Sequence, residues 1–150
     1  MKKGVRLYNV LFPAWFLMLI PTVWLIVLPG NFLIDSLVLV TAMFALKIGE
    51  KKSFYKKHIL KLYCFGLLSD LVGSAFLFVM AFVFELGVYG DEWYMTVPAV
   101  LIAAGCIFLL NYYVTFRRSE QPVRVRLALT FAIATAPYTF LIPSSWLYGF

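Results

Sequence analysis

Apolar residues form long stretches along this chain, and short polar segments separate them. The apolar stretches cover about residues 8–28, 32–48, 60–84, 94–116 and 127–148. An α-helix needs about 20 apolar residues to cross a bilayer, and most of these stretches reach that length. The pattern predicts an all-α integral membrane protein, a single domain built as a bundle of five transmembrane helices. If the last stretch bends at Pro137, the alternative is four spans plus an interfacial C-terminal helix.

Proline and glycine mark the expected breaks. Pro29, Gly30 and Asn31 follow one another between the first two stretches. This combination is typical of a tight turn, and we expect the chain to reverse there. Pro21 lies inside the first stretch, where it predicts either an ordinary kink or a broken helix that lines a cavity.

The composition agrees with a membrane protein. Hydrophobic residues make up 63% of the 150 residues and charged residues only 13%. A soluble domain of this size would leave much of that apolar surface uncovered. If the N-terminus lies in the cytoplasm and five spans follow, all 13 lysines and arginines fall at cytoplasmic ends. The positive-inside rule therefore predicts a multi-pass protein of the plasma or inner membrane, with its C-terminus outside.

The net charge of +6 also has an explanation in this topology, so we expect no nucleic-acid partner. The most basic loop carries Lys51, Lys52, Lys56 and Lys57, which either only orient the chain or also contact anionic lipid headgroups. The predicted partners are membrane lipids and either further copies of the chain or another membrane protein.

The most informative residue is Asp70, which lies in the third apolar stretch. It is nine residues after Lys61 and fifteen before Glu85, so its predicted depth is roughly 13 Å from one end of the span and 22 Å from the other. Gly66 and Gly73 lie on the same helix face and predict close helix packing. Because no lysine or arginine shares its predicted depth, Asp70 is expected to be protonated, to bind a cation or to hydrogen-bond between helices.

Other polar residues extend the candidate pathway for an ion, proton or substrate. They are Asp35, Ser69, Ser74, Asn111 and Thr135. Asp35 is predicted one turn inside the second span near the outer face, where the helix dipole favours a carboxylate. Because this depth differs from that of Asp70, an aspartic pair is not expected. Ala132 and Ala136 have the spacing of a helix-packing face.

Signatures of enzymes and cofactors are missing. The chain has one histidine and two cysteines, and no motif with the spacing of metal ligands or of a nucleotide-binding loop. We therefore predict no catalytic residue, no metal, no cofactor and free thiols. Three functions remain open: transport of a solute, ion or proton by an oligomer or subunit, which we favour; a non-catalytic module that stabilises another membrane protein through a flat small-residue face; and a lipid-active enzyme with Asp70 as the acid.

Overall fold

The computed structural model describes residues 20–84 and 93–142. All regular elements in these two ranges are helical. They are α1 Pro21–Ala45, α2 Lys51–Phe82, α3 Trp93–Leu110, a π-helical turn Asn111–Thr115, α4 Gln121–Ala134 and a 3-10 turn Tyr138–Leu141.

Three of these helices are long and apolar enough to cross a membrane: α1, α2 and α3 together with its π-helical turn. The prediction of an all-α membrane protein is confirmed at this level. The count of five spans is not confirmed.

The helices form a closed ring. α2 packs against α1 and α3, and α4 completes the ring by packing against α3 and α1. Phe54 near the start of α2, Phe116 after the π-helical turn and Phe131 on α4 pack together, so the N-termini of α2 and α4 and the C-terminal side of α3 share one end. This end carries the lysines of 47–61 and the arginines of 117–126, and we call it the basic end.

The turn predicted at residues 29–31 is wrong. Helix α1 continues through Pro29, so the expected spans 8–28 and 32–48 are replaced by one helix within the described residues. A helix among other helices tolerates proline, and the Pro29 ring points to the exposed side, where no packing opposes it. The side chain of Asn31 points into the bundle, where its amide donates a hydrogen bond to Asp70. The expected kink at Pro21 is also wrong, because Pro21 starts the helix, where its missing N–H costs nothing.

The chain reverses after α1 through a C-terminal cap. The N–H of Lys47 donates to the carbonyl of Phe44, and the N–H of Ile48 donates to that of Met43. This is the Schellman pattern, which requires a left-handed residue, and Lys47 takes that conformation with φ of 52°. Helix α2 begins directly afterwards at Lys51, so most of the predicted basic loop is helical.

A continuous last span is also wrong. Helix α4 has 14 residues and ends at Ala134, before Pro137. Proline has no N–H and disfavours the helical conformation of the residue before it. The Ile133 carbonyl, four residues before Pro137, instead accepts a hydrogen bond from the Tyr138 hydroxyl. Residues 143–148 of the predicted span lie outside the described residues.

Two apolar cores lie at the two ends of the ring. The core at the basic end joins all four helices, with Leu39, Leu62, Ile107 and Phe131 among its members. The other core packs α2 and α3 against Phe140 and its neighbours in the segment after α4. Along α2, Asp70 lies between Leu62 of the first core and Leu77 of the second.

Candidate functional site

A polar cavity of about 280 Å³ lies between α1, α2 and the end of α4. Helix α1 contributes Asn31 and Asp35, and α2 contributes Gly66 and Asp70. The remaining wall is the segment 134–139, in which α4 ends. Three of the predicted site residues, Asp35, Asp70 and Thr135, are thus brought together.

Asp70 is held by one hydrogen bond. The amide of Asn31 donates to Asp70 Oδ2 over 3.2 Å. Asp70 Oδ1 is buried and has no hydrogen-bond partner within the described residues, although the residue is only 7% exposed. A buried polar atom without a partner is costly, so this oxygen is available to a ligand in the cavity.

Asp35 faces the same cavity from α1. It is 4% exposed, and its Oδ2 is 3.5 Å from the position that a Cβ at Gly66 would take. The sequence-based depth of Asp35 was wrong because it assumed a helix that starts at residue 32. In the continuous helix α1, Asp35 is ten residues from the C-terminal end at Ala45, roughly 15 Å along the axis. Asp35 and Asp70 therefore line one cavity, although the sequence predicted different depths for them.

The end of α4 adds further oxygen atoms. The last carbonyls of a helix have no partner within it, and they carry the negative end of the helix dipole. The chain from Ala134 to Thr139 lines the cavity. Thr135 Oγ1 donates over 2.8 Å to the Phe131 carbonyl, which also accepts a hydrogen bond from the Thr135 N–H.

The chemistry of this lining favours a cation. The polar residues of the lining are two aspartates, one asparagine, two threonines and one tyrosine among apolar neighbours, and no lysine, arginine or histidine lines the cavity among the described residues. Such oxygen donors bind protons or hard metal ions. No group of three or more His, Cys, Asp or Glu side chains with metal-site spacing occurs in the described part of the chain, so the lining differs from a typical zinc site.

The other predicted pathway residues lie elsewhere. Asn111 is buried in the π-helical turn, where Thr115 Oγ1 donates to its Oδ1 over 2.9 Å. Ser69 donates to the Phe65 carbonyl of its own helix. Ser74 Oγ is buried without a partner in the described residues. None of the three lines the cavity with the two acids.

The predicted packing residues divide into two groups. Gly73 is packed, because an added Cβ would lie 2.7 Å from Phe140 Cε2. Ala132 and Ala136 belong to the two apolar cores. Gly66 faces α1 less tightly, because an added Cβ would lie 3.5 Å from Asp35 Oδ2, which is an ordinary contact distance.

Sequence reasoning missed Asn31 as a site residue. Asn31 and Asp35 are four residues apart, which places both on one face of α1. The spacing was not recognised because a turn was predicted at Pro29, Gly30 and Asn31. Tyr138 and Thr139 were missed as lining residues because a continuous helix was drawn through Pro137.

Two surface features involve the lysines for which contacts with anionic lipid headgroups were predicted. Glu50, Lys51, Lys52, Ser53 and Lys56 line an open depression at the start of α2, whereas Lys57 does not. The Lys51 ammonium lies 3.8 Å from the centre of the Phe44 ring, a cation–π contact.

The predicted free thiols are confirmed for both cysteines. Cys64 is exposed and Cys106 is half-buried.

A second, apolar cavity of about 280 Å³ also reaches Asp70. It lies between α1 and α2 and is lined by Trp24, Leu28, Leu67 and other apolar residues. Asp70 is the one charged residue in this lining within the described ranges. The acid therefore borders both a polar and an apolar space.

Comparisons with protein-family models, with curated proteins and with solved structures give no match for this chain.

Proposed function

We propose that this chain is a multi-pass membrane protein of the transport type, which binds a proton or a small monovalent cation between Asp35 and Asp70. The observation that carries the proposal is that two buried carboxyl groups on facing helices line one cavity, without a basic residue among the described ones.

The energetic argument starts from the cost of burial. An ionised carboxylate inside a membrane span costs at least about 2.5 to 3.5 kcal/mol on insertion scales. Two acids in one cavity incur this cost twice and also repel each other when both are ionised. One proton or monovalent cation shared between them removes the mutual repulsion and leaves one negative charge in place of two. The unpartnered Oδ1 of Asp70 supports such a ligand.

The position of the site supports a pathway rather than a surface contact. The site lies between the two apolar cores, away from both ends of the ring. A broken helix whose C-terminal end points at a cation site occurs in secondary transporters, and the end of α4 at Ala134 has this arrangement.

The basic end is proposed to face the cytoplasm, in the plasma or inner membrane, because short cytoplasmic loops collect lysine and arginine. Helices α1, α2 and α3 would then be membrane crossings, and α4 would enter from the cytoplasmic side. One copy has few helices with which to enclose a pathway, so we propose that the chain works as a homo-oligomer or as a subunit of a larger carrier.

The packing of Gly73 weighs against a module that binds its partner through a flat face. The helix face that would contact such a partner carries Gly66, Asp70 and Gly73. It lies inside the ring, against α1, α3 and Phe140. The cavity at Asp70 supports the transport proposal instead.

The test is flux in proteoliposomes. Purified protein is reconstituted with a pH-sensitive dye or a sodium-sensitive dye inside the vesicles, and ion gradients are imposed. We expect flux from the wild type and loss of flux in Asp35→Asn and Asp70→Asn, which keep the shape of the side chains but cannot ionise. Glu50→Gln is the matched control, because Glu50 is an exposed acid at the basic end. Wild-type flux that persists in both Asp→Asn variants would refute the proposal.

A lipid-active enzyme is a second candidate, and the apolar cavity beside Asp70 favours it. Asn31 supplies the second polar group that this hypothesis requires near the acid. The distinguishing measurement is mass spectrometry of membrane lipids incubated with the protein. Lipid products that disappear in Asp70→Asn, without any ion flux in the wild type, would favour the enzyme.

A further inference from the structure

A groove lies between α1 and α4 and has a volume of about 540 Å³. Its α1 side extends from Leu37 to Leu46 and its α4 side from Arg126 to Ala134. The groove is open to the surroundings, since Leu37 is 67% exposed and Ile133 is 60% exposed. It shares Ala134 with the polar cavity between α1, α2 and the end of α4, but neither Asp35 nor Asp70 lines the groove.

The length of the groove matches one leaflet of a bilayer. Leu37 and Leu46 are nine residues apart, and Arg126 and Ala134 are eight apart, which gives roughly 12 to 14 Å along the helices. Half of a hydrocarbon core of about 30 Å is about 15 Å. The groove starts at the basic end, so it runs from that interface to the middle of the bundle.

The lining is apolar along this length and charged at one end. Apart from Thr41, Thr130 and Arg126, all lining residues are apolar, and no acidic residue lines the groove among those described. Small side chains such as Ala42 and Ala45 make space between the two helices. An acyl chain fits such a surface better than a polar ligand does, because it leaves no polar group unpaired.

Arg126 lies where the headgroup of such a lipid would be. The Thr130 hydroxyl donates to the Arg126 backbone carbonyl over 2.7 Å, a contact that leaves the guanidinium unused. A guanidinium binds phosphate with two parallel hydrogen bonds. Basic pockets between helices on the cytoplasmic side are suited to anionic lipids, which are concentrated there.

From this charge, length and lining we infer that the α1–α4 groove binds one anionic phospholipid of the cytoplasmic leaflet, with an acyl chain between the helices and its phosphate on Arg126. The site is distinct from the lysines at the start of α2. The inference uses the membrane orientation proposed above but does not depend on the cation site.

The test is lipid binding measured by native mass spectrometry on detergent-purified protein. Phosphatidylglycerol and phosphatidylcholine with the same acyl chains are offered in equal amounts. We expect the wild type to prefer phosphatidylglycerol. Arg126→Gln should weaken this binding roughly tenfold or more, the usual effect of losing a charge-assisted hydrogen bond, and Arg126→Lys should restore part of it.

Two further variants separate the groove from general charge and from general bulk. Ala45→Phe fills the groove at an exposed position and should also lower phosphatidylglycerol binding. The matched controls are Arg118→Gln, which removes an exposed charge at the same end, and Val40→Phe, which adds the same ring at an exposed α1 position outside the groove. Equal binding of both lipids by the wild type, or an equal loss in the controls, would overturn the inference. Because Ala45 and Val40 are both exposed, the groove test also stands if Arg126→Gln fails to fold.

Discussion

Gly73 is the position at which the helix ring has least room. A Cβ at Gly73 would lie 2.7 Å from Phe140 Cε2, 3.3 Å from Ala103 Cβ and 3.3 Å from the Ala99 carbonyl oxygen. The first distance is shorter than real Cβ contacts, and the other two involve α3, which is buried at this point. Phe140 is only 2% exposed, so its ring has little space to move into. Gly73→Ala should therefore destabilise the fold by overpacking, which costs about 1 to 3 kcal/mol.

Gly66→Ala is the matched control, because Gly66 lies two turns earlier on the same helix. Its added Cβ would meet only Asp35 Oδ2, at an ordinary 3.5 Å. Both substitutions gain the helix preference of alanine over glycine, which is up to about 1 kcal/mol, so this gain cancels when the two variants are compared. We expect Gly73→Ala to be less stable than Gly66→Ala by about 1 to 3 kcal/mol.

The measurement is unfolding of both variants in the same detergent, by circular dichroism against denaturant or temperature. Adding Phe140→Leu to Gly73→Ala should recover part of the loss, whereas Phe140→Leu alone should be destabilising; this double-mutant cycle assigns the strain to that one contact. Equal stability of Gly66→Ala and Gly73→Ala would show that the segment after α4 does not press against α2 as described.

Two other predictions concern the site and the topology. Asn31→Leu removes the one described hydrogen bond to Asp70 and should lower stability by about 0.6 to 2 kcal/mol, the range for hydrogen bonds between membrane helices. The matched control is Leu33→Asn, at an exposed position of α1. Unchanged stability of Asn31→Leu would contradict the hydrogen bond. In a cysteine-free background, Ser119→Cys should react with an impermeant thiol reagent only from the cytoplasmic side and Trp93→Cys only from the other; labelling of both from one side would reject α3 as a membrane crossing.

The general class of the molecule could be predicted from the sequence, because long apolar stretches and segregated charges are visible in the order of the residues alone. Single-residue breaks were harder to judge. Proline and glycine at 29 and 30 favour a turn in water, where freed backbone groups are hydrated. Inside a helix ring the helical backbone is the cheaper solution, because every polar group must find a partner within the protein. Pro137 did end a helix, so the same residue type gave opposite outcomes at two positions.

The candidate site was predicted in part for the same reason. Asp70 was recognised from its own surroundings, since an acid inside an apolar helix is costly wherever its neighbours lie. Its partner Asp35 was recognised as an acid but placed at the wrong depth, because depth follows from helix boundaries. Asn31 was assigned to a turn and its hydrogen bond was missed. Long-range pairing across helices depends on register, which the sequence pattern alone did not determine.

Helix α1 buries few of its residues against the rest of the bundle, and this has a thermodynamic consequence. Only four of its 25 residues are buried against the described part of the chain, and one of the four is Asp35. A ligand held between Asp35 and Asp70 therefore also ties α1 to α2, and by mass action it adds RT ln(1 + [L]/Kd) to the stability of that association, about 2.7 kcal/mol at a concentration of 100 Kd. Occupancy and the docking of α1 are in this way one coupled equilibrium. An ion bound as proposed should therefore raise the melting temperature of the protein, before any gradient is imposed across a membrane.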